Sequence, residues 1–267
     1  MPGDKQTMSK DRWIVLGVFA VLVIALIAFS QTRPLNRADE AQPASPAATQ
    51  GSEQEAAPTE EPAAEIHEDT EVDAGSEQAE YEAWVTQEFP RRTDGDPMAM
   101  GAVDATVVMT EWADYRCPFC SVFAEETLPQ LQKYIDDGTL RVEFRDLAIF
   151  GDESVKAATA ARAAGVQGKF FEFQHALFAA TPNEGHPDIP DDLVLGLVED
   201  LGLDVAQFEA DWRDPQHEQG VYLDSQEAQG MGVSGTPAFV VGTQFVSGAQ
   251  PLSEFERIIE AEAAKLG

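Results

Sequence analysis

The stretch Ala105-Thr-Val-Val-Met-Thr-Glu-Trp-Ala-Asp-Tyr-Arg-Cys117-Pro-Phe-Cys120 decides the fold. Its first nine residues, 105–113, are rich in β-branched and apolar side chains and predict a buried strand. Two cysteines separated by two residues follow within a few positions. Residues 121–137 then carry apolar side chains at helical spacing and end before a glycine, which predicts a helix. The cysteine pair therefore lies where a strand gives way to a helix.

The sequence downstream returns to strands after a long helical block. Residues 140–144 alternate between apolar and polar side chains and predict a second strand. Residues 153–230 are mostly helical in pattern, with breaks at glycines and prolines. Two short strands over 238–241 and 244–247 and an amphipathic helix over 252–265 complete the chain. The pattern indicates an α/β domain with a helical insertion.

The charge and the cysteine count of the chain exclude some classes of function. The chain has 267 residues, a formal net charge of -31 and two cysteines. A surface this acidic repels phosphate groups, which argues against binding nucleic acid or anionic lipid headgroups. A chain of this length buries an adequate core without disulfide staples. Both cysteines are therefore free for chemistry.

The N-terminal region has the features of a membrane segment. Residues 13–29 form a run of 17 uncharged, mostly apolar residues, preceded by basic ones. We expect a transmembrane signal-anchor helix over 13–30, with residues 1–12 in the cytoplasm and the remainder outside it. A cleaved secretory signal is the alternative, because Ala28 and Ser30 are the small residues that a signal peptidase requires. Either interpretation predicts export, to the cell membrane or as a secreted protein.

The segment that follows lacks the residues needed for a core. Residues 31–80 are rich in Ala, Pro, Glu, Gln, Ser and Thr and contain almost no large apolar side chains. Such a segment cannot bury enough surface to offset its ordering entropy, which predicts a disordered acidic linker. The globular domain is predicted over 81–267, with Trp84 and Phe89 as its first core contacts.

The spacing of the cysteines suits exchange chemistry. A disulfide across a four-residue ring stabilises a fold by only about 2 kcal/mol, against about 4.7 kcal/mol for a hundred-residue loop. A helix N-terminus, in contrast, favours the thiolate of Cys117, and Pro118 suits the first turn because it lacks an N–H. Arg116 is expected to add positive charge. Cys120, one turn further, is the expected resolving thiol, which needs a base to deprotonate it.

A zinc site is the competing interpretation of two cysteines at this spacing. Structural zinc takes four ligands, usually from a second cysteine pair or a histidine pair. The chain has no third cysteine, and its histidines are dispersed. We therefore predict no metal site and interpret the histidines as surface or locally bonded residues, with His186 in its loop the best placed for a functional role. The four are His67, His175, His186 and His217.

Four segments together resemble the DsbA-like branch of the thioredoxin superfamily. The resemblance spans roughly residues 95–265 and implies a thioredoxin fold with a helical insertion. The segment ending in Asp146 looks like the strand that leads into the insertion, and the run over 168–178 looks like part of the helical insertion itself. The segments are Glu111-Trp-Ala-Asp-Tyr-Arg-Cys117-Pro-Phe-Cys120, Phe144-Arg-Asp146, Gly168-Lys-Phe-Phe-Glu-Phe-Gln-His-Ala-Leu-Phe178 and Val233-Ser-Gly-Thr236-Pro237-Ala-Phe-Val-Val241.

The resemblance implies roles for individual residues. Cys117 would be the attacking cysteine and Cys120 its resolving partner. Pro237 would be a cis-proline facing this pair, and Thr236 would offer backbone groups to an extended substrate peptide. Glu111 would be a buried acid that relays protons to Cys120.

Each role has a simpler alternative. Pro237 could be a trans proline opening a strand, Glu111 a satisfied strand-end carboxylate and Asp114 a solvated loop charge. Pro118 and Phe119 are also expected to contact substrate. The dipeptide is Pro-Phe rather than the Pro-His of well-known family members, which removes an imidazole and predicts a less oxidising pair.

The resemblance implies an oxidase of exported proteins that contain cysteine pairs. The Cys117–Cys120 disulfide itself would be the redox group, without a further cofactor, and a quinone-linked membrane partner would reoxidise it. The protein is expected to be a monomer, since nothing before residue 81 looks like a dimerisation module. An extracytoplasmic reductase or isomerase is the first alternative. A peptide-binding module with incidental thiols is the second.

Overall fold

The computed structural model describes residues 74–266 and contains one five-stranded sheet. The strand order is β1-β3-β2-β4-β5, with β2 and β3 parallel and the other neighbouring pairs antiparallel. The strands are β1 (Ala99–Met100), β2 (Val107–Ala113), β3 (Leu140–Asp146), β4 (Ala238–Val241) and β5 (Gln244–Ser247).

Nine α-helices surround this sheet within residues 74–266. Five of them, α4 to α8, form one block between β3 and β4. The helices are α1 (Ala74–Ala83), α2 (Pro118–Val122), α3 (Gln132–Asp136), α4 (Asp152–Val166), α5 (Phe170–Ala180), α6 (Asp191–Asp200), α7 (Val205–Trp212), α8 (Pro215–Gly230) and α9 (Leu252–Leu266).

The predicted strands are present, and the sheet confirms a thioredoxin-like α/β fold. The bounds of β4 and β5 are those predicted, whereas β2 begins two residues later and β3 extends two residues further. The two-residue strand β1 was not predicted. It pairs with the middle of β3, with Ala99 opposite Glu143.

The N-terminal boundary differs from the prediction. Helix α1 begins at Ala74, inside the segment predicted as linker, and a π-helical turn, Trp84–Glu88, continues it. Val85 and Phe89 are buried and Trp84 partly so, which confirms the predicted first core contacts. The predicted anchor helix and the linker up to residue 73 lie outside the described residues. No helix in 74–266 has the length and apolar character required to cross a membrane.

The helix predicted over 121–137 is interrupted. Helix α2 is followed by a π-helical turn, Phe123–Thr127, and a 3-10 turn, Leu128–Leu131, before α3 resumes. Pro129 lies in the 3-10 turn, where its ring and its missing N–H are incompatible with a continuous α-helix. The prediction of one continuous helix was therefore wrong at this point.

The two faces of the sheet carry separate cores. Val107 and Met109 of β2 pack with Phe123 and Phe255 beneath α2 and α9. On the opposite face, Trp112 packs with aromatic and apolar side chains from the N-terminal segment and α8. Because side chains alternate along a strand, Glu111 lies on the same face as Met109, under the helix that carries the cysteines.

The helical block has a core of its own around α4. This helix buries small side chains, which allow α5, α7 and α8 to pack close against it. Large aromatic residues from the neighbouring helices, including Phe173 and Phe208, fill the remaining space. The buried alanines of α4 are Ala157, Ala158, Ala160, Ala161, Ala163 and Ala164.

Candidate active site

The cysteine pair lies at the N-terminus of α2. Cys117 is the N-cap residue, in extended conformation, and Pro118 occupies the first helical position. The Cys120 N–H donates to the Cys117 carbonyl oxygen over 3.1 Å. Both thiols are free and buried, Cys117 with 4% and Cys120 with 0% of its surface exposed. Cys117 is thus the more accessible of the two, as expected for the attacking cysteine.

The two thiols differ in proton affinity. A hydrogen bond from the Cys120 thiol lowers the pKa of Cys117 to about 6, and the backbone N–H groups of Cys120 and Phe119 act in the same direction. Burial raises the pKa of Cys120 well above its ordinary value, and its hydrogen bond to Cys117 adds to this effect. At pH 7 the pair therefore holds one thiolate, on Cys117, and one thiol, on Cys120.

The Thr236–Pro237 segment faces the cysteines from the other side. Its peptide bond is cis, as the family resemblance implied. Cys117 Sγ lies 3.3 Å from the Thr236 carbonyl oxygen, to which the sulfur donates a hydrogen bond when it is protonated. Strand β4 begins at the next residue and pairs with the end of β2, where Ala238 lies opposite Trp112. The sheet therefore brings residues 236–237 to a site that is more than a hundred residues away in sequence.

Phe119 is the most exposed large apolar side chain of the described region. Its exposed fraction is 64%, although the residue lies between two buried cysteines. Burying such a side chain against a partner releases about 1.5–3 kcal/mol. Phe119 can therefore supply an apolar contact beside Cys117.

Glu111 is buried without a compensating charge. In β2 it lies opposite Phe144 of β3 and Phe239 of β4, and no hydrogen bond or ion pair from residues 74–266 reaches its carboxyl group. Burial raises its pKa to about 8. In its ionised form the carboxylate adds to the rise in the pKa of Cys120 that burial causes. The position fits a group that exchanges protons with Cys120.

The structure corrects the interpretation of Asp114 as a solvated loop charge. Asp114 is only 1% exposed. Its Oδ1 accepts from the backbone N–H of Arg116 over 2.8 Å and from the Ser154 hydroxyl over 2.8 Å. Its Oδ2 accepts from the N–H groups of Ile149, over 2.7 Å, and Phe150, over 3.2 Å. Asp114 thus fastens the turn before Cys117 to the loop after β3.

Arg116 has a role that its position next to Cys117 did not suggest. Its guanidinium donates to the backbone carbonyl oxygens of Phe150, His186 and Pro187, at 2.5 to 2.8 Å. Asp188 lies 3.6 Å away. Arg116, which was expected to add positive charge near Cys117, also holds two loops against the turn before that cysteine.

His186 belongs to one of these loops. Its Nδ1 lies 3.0 Å from the Arg116 carbonyl oxygen, and its ring stacks on Phe150 with centroids 3.7 Å apart. The same loop contacts α2, because the Ser121 hydroxyl is bonded to the Asn183 side chain. Sequence reasoning singled out His186 but gave it no partner. Within residues 74–266 no group of three or more His, Cys, Asp or Glu side chains is arranged to hold a metal ion.

Comparisons with known proteins agree on the family. The family model described as Thioredoxin matches residues 92–261. Probable disulfide bond formation protein D of Bacillus cereus is 30% identical over 148 residues, which cover 54% of this chain and 68% of the relative. Disulfide bond formation protein D of Bacillus subtilis is 28% identical over 177 residues, which cover 63% and 77%.

Solved structures give the same answer. The oxidised BdbD of Bacillus subtilis is 26% identical, with a TM-score of 0.59 over 64% of this chain and 94% of that one. The thiol-disulfide exchange protein alpha-DsbA2 of Wolbachia pipientis shares the fold, at 24% identity and a TM-score of 0.58 over 70% and 97%. With the cysteine pair at the helix N-terminus, these likenesses show that the chain belongs to the thioredoxin family, in its DsbA-like branch of thiol-disulfide oxidoreductases.

Proposed function

We propose that this chain is an extracytoplasmic oxidase that forms disulfides in exported proteins. The observation that carries the proposal is the asymmetry of the two thiols, with the pKa of Cys117 lowered to about 6 and that of Cys120 raised. A stabilised Cys117 thiolate favours the reduced form of the pair, and a pair whose reduced form is stabilised oxidises other thiols.

The reaction transfers two electrons from a substrate dithiol to the Cys117–Cys120 disulfide. A substrate thiolate attacks Cys117 Sγ, and the bond to Cys120 breaks with both electrons on Cys120. The second substrate thiolate then attacks the substrate sulfur of the mixed disulfide, and Cys117 leaves as a thiolate. The substrate ends with one disulfide and has lost two electrons and two protons.

Glu111 is suited to the protonation step. Because its pKa is about 8, the carboxyl group holds a proton at pH 7. Cys120, whose pKa is raised, needs a proton when it leaves the disulfide. Glu111 would supply this proton and recover it when a membrane partner, which we expect to be quinone-linked, reoxidises the pair.

Substrate binding would use both sides of the cysteine pair. An extended peptide segment can pair with the backbone groups of Thr236, next to Pro237, as in strand addition. The exposed ring of Phe119, beside Pro118, would contact apolar side chains near the substrate cysteine. Neither contact requires a particular sequence, which suits an enzyme that acts on many exported proteins.

The uncharged run over residues 13–29 supports a location at the outer side of a membrane. With an anchor over 13–30, the catalytic domain would lie outside the cytoplasm. Labelling intact cells with a membrane-impermeant maleimide, after a membrane-impermeant reductant has opened the Cys117–Cys120 disulfide, tests this location, because the chain has only two cysteines and both lie in the site. Labelling only after lysis would contradict it.

Two variants test the chemistry. Cys117→Ser is expected to abolish oxidation of a reduced dithiol peptide, and full activity in that variant would refute the enzymatic role. Cys120→Ser is expected to accumulate mixed disulfides with exported proteins, because the resolving thiol is absent. Recovery of none from the exporting cell would count against the oxidase.

One observation favours a reductase instead. Phe119 stands where an imidazole would stabilise the Cys117 thiolate, and the pair is correspondingly less oxidising. A glutathione-equilibrium titration separates the two functions, because a reduction potential near about -120 mV marks an oxidase and one near about -270 mV a reductase.

A further inference from the structure

Cys117 lies between two walls of different charge, because of where the strands of the sheet end. Strands β2 and β3 are parallel, whereas β4 is antiparallel to β2 and β5 is antiparallel to β4. The ends of β2, β3 and β5 and the start of β4 therefore meet at one edge of the sheet. In the order β3-β2-β4-β5, Cys117 has the loop after β3 on one side and Thr236–Pro237 on the other.

The side that faces the helical block is acidic. Two of its acids lie in the loop between α5 and α6, residues 181–190, and the third begins α4. Two hydrogen bonds of 2.8 Å, from the Arg116 guanidinium to backbone carbonyl oxygens, hold this loop beside Cys117. The three acids are exposed, and we call them the acidic wall: Asp152, Glu184 and Asp188.

The basic groups near the acidic wall are already bonded within the protein. The Arg116 side chain is only 14% exposed and donates to three backbone carbonyl oxygens. Asp188 lies 3.6 Å from that guanidinium, yet its own side chain is 90% exposed. Lys156 pairs with two other acids, at 3.1 and 3.4 Å. Within residues 74–266, neither Asp152 nor Glu184 forms an ion pair, so the wall keeps negative charge for a ligand.

The other side of Cys117 is uncharged. Residues 228–253 contain no Asp, Glu, Lys, Arg or His, although 24% of the residues of the whole chain are charged. This range includes the cis Thr236–Pro237 bond. The N–H of Gly248, after β5, donates to the Pro237 carbonyl oxygen over 2.8 Å and so holds a second uncharged segment beside the cis-proline. A substrate therefore meets carboxylates on one side of Cys117 and an uncharged surface on the other.

We propose that the acidic wall selects substrate segments with a lysine or arginine two to four residues from the reacting cysteine, on one side of it only. This inference rests on the proposed function and names the class of substrate that the site prefers. An extended peptide advances about 3.3 Å per residue, so these positions lie about 7–13 Å from the bound sulfur. A charge on the opposite side is further from the wall than the Debye length, about 8 Å at physiological salt, and is largely screened.

Two isomeric dithiol peptides test the proposal with the full-length wild-type protein. One carries two lysines shortly before its first cysteine, and the other carries them shortly after its second cysteine. Each is mixed at pH 7 with the oxidised protein, and chromatography after an acid quench measures the oxidised peptide. The net charge of the protein attracts both isomers alike, whereas the wall meets the lysines of only one. We expect the rate constants to differ about threefold to tenfold at low salt, and by less than about twofold in about 0.5 M NaCl.

Two double variants locate the effect. Glu184→Gln with Asp188→Asn removes two carboxylates of the wall, and we expect the ratio between the isomers to fall below about twofold. Glu199→Gln with Asp200→Asn removes two exposed carboxylates at the C-terminal end of α6 and is the matched control, which should keep the wild-type ratio. Equal rates for the two isomers with the wild type, a ratio that persists at high salt or in the first double variant, or an equal loss in the control would each overturn the proposal.

The comparison of the isomers does not depend on the direction of electron flow. If the protein oxidises neither peptide, the oxidase proposal fails, and the same peptides in disulfide form are then mixed with the reduced protein. Cys117 must approach the same peptide sulfurs in that direction, so unequal rates of reduction support the acidic wall and equal rates overturn it. The wild-type measurement also decides the matter if a variant fails to fold.

Discussion

Replacing Glu111 by glutamine is expected to stabilise the protein in a pH-dependent manner. Burial raises the pKa of Glu111 from an ordinary 4.5 to about 8. Between these values the folded chain holds a proton that the unfolded chain has lost, so the free energy of unfolding falls as the pH rises. A shift of one pKa unit corresponds to about 1.4 kcal/mol. Relative to pH 4.5, the free energy of unfolding is therefore lower by about 3 kcal/mol at pH 7 and by about 5 kcal/mol above pH 8.

Glutamine has the size of glutamate and carries no proton that titrates in this range. We therefore expect Glu111→Gln to match the wild type below pH 4.5 and to exceed it by about 3 kcal/mol at pH 7. Guanidinium chloride unfolding of the reduced protein at pH 4, 6, 7 and 8 measures the difference. Glu126→Gln, which changes an exposed glutamate, is the control and should stay within about 0.5 kcal/mol. A stability difference that is constant with pH would refute the assignment of a buried, protonated Glu111.

Two further predictions concern the surroundings of Cys117. Asp114→Asn places an amide N–H₂ group among four hydrogen-bond donors. We therefore expect the free energy of unfolding, measured by urea denaturation, to fall by about 2–4 kcal/mol. The control Asp200→Asn, at an exposed helix end, should change it little. Phe119→His returns an imidazole to the first turn of α2 and is expected to lower the pKa of Cys117 further below about 6. Thiolate absorbance at 240 nm measures this pKa, and an unchanged or higher value would contradict the proposed electrostatic effect.

Much of the fold was accessible from local patterns. Strands β4 and β5 were predicted with their observed bounds, because a Gly-Thr turn separates two short apolar runs. Strand β3 was predicted from the alternation of apolar and polar side chains, yet all of its residues are buried. Its polar side chains find partners in distant segments, such as the backbone N–H groups of Arg91 and Arg92 that donate to Glu143. Alternation within a strand does not reveal such partners.

The cysteine pair was predictable from its spacing, and the cis-proline from the resemblance of the segment around it to the DsbA-like branch. The hydrogen bonds that hold the site in place were not predictable. Asp114 is bonded to residues 35 to 40 positions later, and Arg116 to residues 34 to 71 positions later. These contacts exist only after the loop following β3 and the loop between α5 and α6 have packed together. A single sequence contains the donors and acceptors but not the folded path that brings them within 3 Å.

The three hydrogen bonds from Arg116 to backbone carbonyl oxygens also limit which parts of the protein can be removed without changing the active site. Two of them tie the residue before Cys117 to a loop of the helical block, at His186 and Pro187, and the third ties it to Phe150 after β3. The helical block therefore forms part of the enclosure of the redox centre. A shortened chain that keeps the five strands and removes residues 153–230 would lose the acceptors at His186 and Pro187 together with the Asn183 contact to α2. Grafting the cysteine tetrapeptide onto another scaffold would likewise transfer the reactive sulfurs without the enclosure that sets their behaviour.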